Sequence, residues 1–200
     1  MTKNKNFYKE WKGVCKKVLK NSKIRYARIA YKGKRANCQL DWASIRNHIK
    51  MLFTAAVFEI LRKTPPCALK NIIYRMFGVK IGKDVAIAYN VLFDPLYPEL
   101  ITVEDGVMIG SDCEISSHEF AANRFSIGRV IIGKNAMISA YNVIGCGRII
   151  GENAVTGLYS FVNKDIPSNE FWAGIPIKEI KKLPKGGLKA VKDLEIVEYD

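Results

Sequence analysis

Histidine is nearly absent: the 200 residues contain two, His48 and His118. That scarcity excludes any site built from several imidazoles. Cysteine is also thin and irregular. The five residues, Cys15, Cys38, Cys67, Cys113 and Cys146, are odd in number and form no CxxC pair. The pattern argues against a disulfide framework or a zinc site and for a reducing compartment. Long apolar runs are missing as well. The longest mostly apolar stretch, Met51 to Leu61, is interrupted by Glu59. As a helix it spans roughly 16 Å, about half of a bilayer's hydrocarbon core, so no transmembrane segment is expected. The first thirty residues are basic but lack an apolar core stretch, so no secretory signal is expected either. Hydrophobic residues at 48% and charged residues at 26% exclude a disordered chain and a collagen.

Acidic residues are scarce only at one end. Residues 1–35 hold thirteen Lys/Arg and one acid, Glu10, hence +12 of the net +13. The other nineteen Lys/Arg are balanced by eighteen acids. The basic character therefore belongs to an N-terminal arm, read as residues 1–42. Such an arm is drawn to anionic surfaces such as nucleic acid or acidic lipid head groups; a solvated, partly helical segment is the plain alternative.

Residues 43–78 read as a helical cap. Ala43–Lys63 carries Ile45, Ile49, Leu52, Phe53, Ala56, Val57, Ile60 and Leu61 near helical spacing. Thr64-Pro65-Pro66 ends that helix, and Cys67–Phe77 forms a second one closed by Gly78. From Val79 a period of six takes over: IGKDVA, IAYNVL and FDPLYP from Ile81; VEDGVM, IGSDCE and ISSHEF from Val103; IGKNAM, ISAYNV, IGCGRI, IGENAV, TGLYSF and VNKDIP from Ile132. Isoleucine stands first in eight of these twelve hexads and glycine second in six, a regularity that predicts a parallel β-solenoid over residues 79–183. Position-one side chains are expected to stack inside, position-five residues to fill the corners, and position-two glycines to supply positive-φ bends. Asn142 and Arg148, at position five, and Thr156, at position one, fit poorly. Asn142 is read as facing a site, and Arg148 as let out by local distortion. The register breaks around Tyr97–Thr102 and again from Glu119 to Val130, where a loop is ejected; residues 184–200 are a tail.

EISSHEF with its loop, IGKNAMISAYNVIGCGRIIGENAV and the closing FVNKDIPSNEFWAGIPIKEIKKL resemble the hexapeptide-repeat acyltransferases. The sugar O-acetyltransferases of the maltose, galactoside and nodulation types are the nearest in kind. The resemblance covers residues 70–183. It implies a mainly β fold, a left-handed parallel β-helix with N-terminal helices and, after an alanine-glycine-x-proline turn, a basic C-terminal helix. It also implies acetyl-CoA as co-substrate, no metal, and a homotrimer with active sites between neighbouring chains.

By the same resemblance His118, directly before the ejected loop, is the general base. An alcohol attacks poorly until its proton is removed, and neutral imidazole, with a reference pKa of about 6.5, suits that work near pH 7. A histidine satisfied at a coil corner is the structural alternative. Ala140 matches the position that meets the thioester end of coenzyme A, and Leu158 a usually smaller residue beside pantetheine. Asn163 and Lys164 match the pair at the final corner. Lys178 and Lys181 match basic residues beside the nucleotide phosphates, with a solvated helix face as the alternative. For the acceptor, Asn90 and Asp94 match polar positions, although Asp94 before Pro95 also suits a turn. Glu119 either orients the imidazole or begins the loop.

Gamma-class carbonic anhydrases share the solenoid but need three histidines. Sugar-nucleotide pyrophosphorylases need a nucleotide-binding domain for which the 80 preceding residues are too few. The expected reaction is O-acetylation of a saccharide, with N-acetylation of an amino sugar as the alternative, and a non-catalytic solenoid scaffold as the alternative of another class. The enzyme is expected in the cytoplasm, with the basic arm offering peripheral contact to an anionic membrane and no sequence-specific nucleic acid partner.

Overall fold

The computed structural model describes residues 2–190, with side chains from 7 to 188. The end of the tail read over 184–200 lies outside them. The chain opens with helix α1 (Thr2–Lys20) and strand β1 (Tyr26–Ala30). A 3-10 turn over Cys38–Ser44 follows, then α2 (His48–Arg62) and α3 (Ala68–Met76). Asn47 caps α2 by accepting from the Lys50 amide, and Cys67 caps α3 through its sulfur. The first helix is thus shorter at its start than the apolar spacing predicts.

Beyond Gly78 the chain passes through very short strands in a fixed cycle. The first circuit is β2 (Lys80–Ile81), β3 (Ala86–Ile87) and β4 (Leu92–Phe93). The second is β5 (Ile101–Val103), β6 (Met108–Ile109) and β7 (Glu114–Ile115). A hairpin, β8 (His118–Ala121) and β9 (Arg124–Gly128), interrupts the cycle. The third circuit is β10 (Val130–Ile132), β11 (Met137–Ile138) and β12 (Val143–Ile144). The fourth is β13 (Ile149–Ile150), β14 (Val155–Thr156) and β15 (Phe161–Val162). The chain closes with β16 (Glu170–Ala173) and β17 (Lys178–Lys182).

Each strand pairs in parallel with its counterpart one circuit on. The first sheet runs β2-β5-β10-β13, the second β3-β6-β11-β14-β16-β17, the third β4-β7-β12-β15. The six-residue period is the cause. Every position-one side chain, from Ile81 through Thr156 to Val162, is buried, and the aliphatic and aromatic ones among them run through one hydrophobic core. Position-five residues such as Val85, Val107, Ala136 and Ala154 are buried beside them.

Two readings of the repeat are corrected. The left-handed conformation falls at position four, on Asp84, Asn90, Asp112, Asn135, Tyr141, Asn153 and Tyr159. Position-two glycines are needed for space instead: a Cβ on Gly110 would lie 2.5 Å from the Ala140 nitrogen, and one on Gly151 2.4 Å from the Ser168 nitrogen. After the turn, Lys178–Lys182 forms a strand where the resemblance implies a basic helix. Its backbone pairs antiparallel with β16 and closes that edge of the second sheet.

The opposite edge is closed by α3. Lys70 Nζ donates to the carbonyls of Thr64, Ile87 and Ala88, Asn71 Nδ2 to Val85 O, and Arg75 to the carbonyls of Ile81 and Gly82. Orphan acceptors of the first circuit are satisfied by side chains from one helix face. Burial pushes the Lys70 amine down to about 8.

The basic N-terminal residues are packed against this body. Phe7, Trp11, Cys15 and Val18 form a buried stripe on α1, and a second core joins them to Leu96, Tyr97, Leu100, Phe125 and Ile127. Strand β1 pairs antiparallel with β9, giving the sheet β1-β9-β8. Arg129 donates to the carbonyls of Val18, Leu19 and Asn21 at the end of α1 and to that of Ile24. The ejected loop is therefore a hairpin clamped under the N-terminal segment.

Candidate active site

His118 begins β8, at the corner where the chain leaves the third sheet. Hexad register puts Asp94 at the same corner one circuit earlier, directly after β4. The two meet there: His118 Nδ1 is bonded to Asp94 Oδ2. Asp94 is buried and fully engaged. Its Oδ2 also accepts from the Ser117 amide at 2.9 Å and the Ser117 hydroxyl at 2.7 Å, and its Oδ1 accepts from the Leu96 amide at 2.8 Å. Ser117 Oγ also reaches Tyr97 O at 3.0 Å.

Burial by itself raises the Asp94 carboxyl, but the charge and hydrogen bond of His118 and the donors of Ser117 and Leu96 outweigh it and hold the group below the ordinary carboxylate range. An ionised carboxylate only accepts, so Nδ1 carries the proton in the neutral ring and Nε2 carries the lone pair. Aromatic rings fix the imidazole from other directions: Phe120 lies edge-on at 4.9 Å and Phe125 stacks at 6.0 Å. The His118 side chain is 21% exposed against 2% for Asp94. A partly open imidazole backed by a buried carboxylate can withdraw a proton from a bound hydroxyl.

The other candidates fall in three places. Asp94 is expected at the acceptor; its side chain is sealed against His118 and Ser117, so it orients the imidazole. Glu119 leaves Nδ1 to Asp94 and is the second residue of β8; its carboxylate is turned toward Gly145, and Cys146, pushed up to about 12 by burial first and then by the charge and hydrogen bond of Glu119, lies beside it. Asn90 sits in the left-handed corner between the second and third sheets, bonded to Asp112 Oδ1 at 3.0 Å and Lys63 Nζ at 2.8 Å. Asn142 faces the interior: it is fully buried and its Nδ2 donates to the carbonyls of Ser139, Ala140 and Gly157. A buried amide at this corner is kept by those three acceptors, which is why a polar residue replaces the usual small apolar one. Arg148 is half-exposed, with its Nε buried and without a partner among the described residues.

Ala140 and Leu158 occupy that same second-to-third corner in successive circuits. Leu158 is 63% exposed, and next to them the rings of Tyr141 and Tyr159 stack at 4.5 Å. A Cβ on Gly157 would lie 2.6 Å from Ala173 Cβ, and Ala173 pairs with Lys178, so the corner runs on into the closing hairpin. Lys181, opposite Phe171, is exposed on β17. Trp172 packs over the core end and donates to Glu170. Asn163 and Lys164 stand instead at the third-to-first corner, the corner of His118, two circuits beyond it. A single chain thus holds His118 and the Ala140–Leu158 corner on different edges. The sequence reading missed Ser117, Phe120 and Phe125 as the walls of the imidazole; hexad register, which stacks Asp94 on Ser116 two residues before His118, was the signal for the pair. Among the described residues no group of three or more metal-binding side chains occurs.

No protein-family profile matches the chain. A Bacillus subtilis (strain 168) protein, "Putative acetyltransferase YvoF", is 36% identical over 133 residues, covering 66% of this chain and 77% of its own length. The galactoside O-acetyltransferase of Escherichia coli (strain K12) is 32% identical over 145 residues, 68% of this chain and 66% of that protein. Among solved structures, a galactoside acetyltransferase in complex with coenzyme A superposes with a TM-score of 0.58 at 22% identity, over 75% of this chain and 89% of that one. A hexapeptide-repeat acetyltransferase of Vibrio cholerae complexed with acetyl coenzyme A gives 0.57 at 19% identity, over 66% and 87%.

Proposed function

The chain belongs to the hexapeptide-repeat acetyltransferases, and from that premise we propose that it moves an acetyl group from acetyl-CoA to a saccharide hydroxyl with His118 as general base. The observation that carries the reading is the Asp94–His118 pair, a buried carboxylate fixing the tautomer of a partly open imidazole. Acetyl-CoA supplies the acetyl group as a thioester. His118 Nε2 removes the hydroxyl proton as that oxygen attacks the thioester carbonyl, and the same imidazolium returns the proton to the departing thiolate sulfur. Asp94 stays ionised and stabilises the imidazolium while it exists. Ser117 and Leu96 hold the carboxylate in place.

The second-to-third corner fits a pantetheine arm: it is exposed, apolar at Leu158 and the tyrosine stack, and leads to lysines 178 and 181 for the phosphates. Asn163 and Lys164 would serve the donor from the other edge. Because His118 and Ala140 stand on different edges, the reaction needs a cleft between two copies, which supports a homotrimer of left-handed coils. Five unpaired cysteines support a cytoplasmic setting.

The test is thiol release from acetyl-CoA with a panel of saccharide acceptors. His118→Ala is expected to lower turnover by roughly 10²–10⁴ while acetyl-CoA still binds. Near-normal turnover in that variant would overturn the assignment. Sedimentation equilibrium is expected to give three chains; a mass near one 22.5 kDa chain would overturn the cleft.

A further inference from the structure

Helix α2 is apolar on two opposite faces. One face, with Thr54, Phe58 and Leu61, is buried against the body. The other carries Ile49, Leu52, Phe53 and Ile60, all exposed. Residues 49, 52, 53, 56 and 60 follow helical spacing, so they form one continuous stripe. Helix α3 repeats the arrangement with Leu69, Ile72 and Met76 outward. Together these seven large apolar side chains are between 48% and 77% exposed. Phe53 and Phe77 approach to 5.8 Å and tie α2 to the end of α3. The stripe on α3 cannot roll inward, because the opposite face is committed through Lys70, Asn71 and Arg75 to the carbonyls of the first circuit. An apolar surface of this kind on two consecutive helices marks an interaction site.

We propose that the outward faces of α2 and α3 dock on an anionic phospholipid surface. The charge around the stripe decides the occupant. On α2 and just after it stand Lys50, Arg62 and Lys63 but a single acid, Glu59, which is paired with Arg62 at 3.2 Å; Lys70 and Arg75 face the other way and do not count here. The chain as a whole carries +13. A second copy seated on this face would bring the same positive surplus against it, whereas anionic head groups complement it. Among the described residues no helix is long and apolar enough to cross a membrane, so the two helices would lie along the interface with their apolar stripe in the acyl boundary. This inference stands apart from the acetyl-transfer reading and places no demand on His118.

The experiment is cosedimentation of the full chain with phosphatidylcholine vesicles, with and without phosphatidylglycerol, at low and physiological salt. The chain is expected to bind the anionic vesicles, to ignore the zwitterionic ones, and to weaken as salt rises. The double variant Phe53→Ser/Met76→Ser is expected to lower partition by about tenfold or more, and Lys50→Glu to reduce its salt-sensitive part. Both changes face outward, and an unchanged melting midpoint verifies the fold. Failure of the wild type to bind anionic vesicles at low salt overturns the proposal, as does equal binding by the serine variant. If the serine variant instead changes the sedimentation mass while the wild type ignores vesicles, the face belongs to a second copy and the proposal falls.

Discussion

Asp94 and His118, twenty-four residues apart, meet through Oδ2 and Nδ1 at one corner of two successive circuits, the first side chain buried and the second partly open. The division of exposure has a chemical consequence. The carboxylate is shielded from solvent, so under the proposed reaction it acts only through the ring. Asp94→Asn keeps the shape but replaces an obligate acceptor with an amide that can also donate, so the Nδ1–H tautomer is no longer enforced. Turnover is expected to fall by about 10²-fold or more, with the KM for acetyl-CoA little changed. Steady-state kinetics on the folded variant checks it. A fall equal to that of His118→Ala with no activity regained in Asp94→Glu would point to lost structure rather than lost orientation.

The same pair sets a pH dependence of stability. The folded-state carboxyl of Asp94 is held below its unfolded value, so the folded state binds its proton less readily. Its contribution is therefore present above the ordinary carboxylate pKa of about 3.9 and is lost as pH falls through the lower folded value. Urea midpoints of wild type and Asp94→Asn, compared from neutral pH downward, are expected to differ most above about pH 4 and to converge in stronger acid. A difference that stays constant across that range would exclude the linkage.

The circuits can be read in the sequence because the first position of every hexad must face inward, and the isoleucines there recur without a helix between them. The hairpin and the Tyr97–Thr102 break appear as interruptions of that count. Less visible was the division of labour within a hexad. Position-four Asp, Asn and Gly are residues that enter the left-handed region at modest cost, and the chain bends there. Two tyrosines share the position, Tyr141 and Tyr159, and their composition gives no such hint. The N-terminal segment was obscured by its own charge. Its lysines dominate the composition, while Phe7, Trp11, Cys15 and Val18 keep helical spacing beneath them. At the end of the chain the resemblance implies a helix, whereas the need to close a sheet edge makes Lys178–Lys182 a strand. Asp94 is legible as a polar candidate, but its bond to His118 is not, since its hydrogen bonds depend on how circuits stack.

Crowding between circuits, rather than torsion, should govern the position-two glycines. Gly110→Ala places a methyl 2.5 Å from the Ala140 nitrogen and 2.8 Å from the Ser139 carbonyl carbon, both backbone atoms with little room to move. A cost of about 1–3 kcal/mol is expected. At Gly145 the nearest atom would be 3.4 Å away, and Gly145→Ala is expected to stay within about 0.5 kcal/mol of wild type. Denaturant midpoints of the two variants decide the matter, and equal losses would mean that space is not the constraint.

The N-terminal segment is expected to support catalysis without touching substrate. Trp11 is fully buried and meets Phe125 edge-on at 5.2 Å, and Phe125 stacks on His118 at 6.0 Å. One aromatic therefore separates α1 from the His118 imidazole. Trp11→Ala removes the largest side chain of the second core and is expected to cost about 3–5 kcal/mol. The hairpin that carries His118 loses its backing in the same step. Turnover per folded molecule is expected to drop roughly tenfold or more, because small displacements of a base are expensive in rate. Trp11→Phe, which keeps a ring against Phe125, is expected to recover most of it. Denaturation curves fix the folded fraction, and turnover is then measured well below the melting midpoint. If Trp11→Ala is destabilised as expected but turns over like wild type, α1 holds the fold together and leaves the imidazole unaffected.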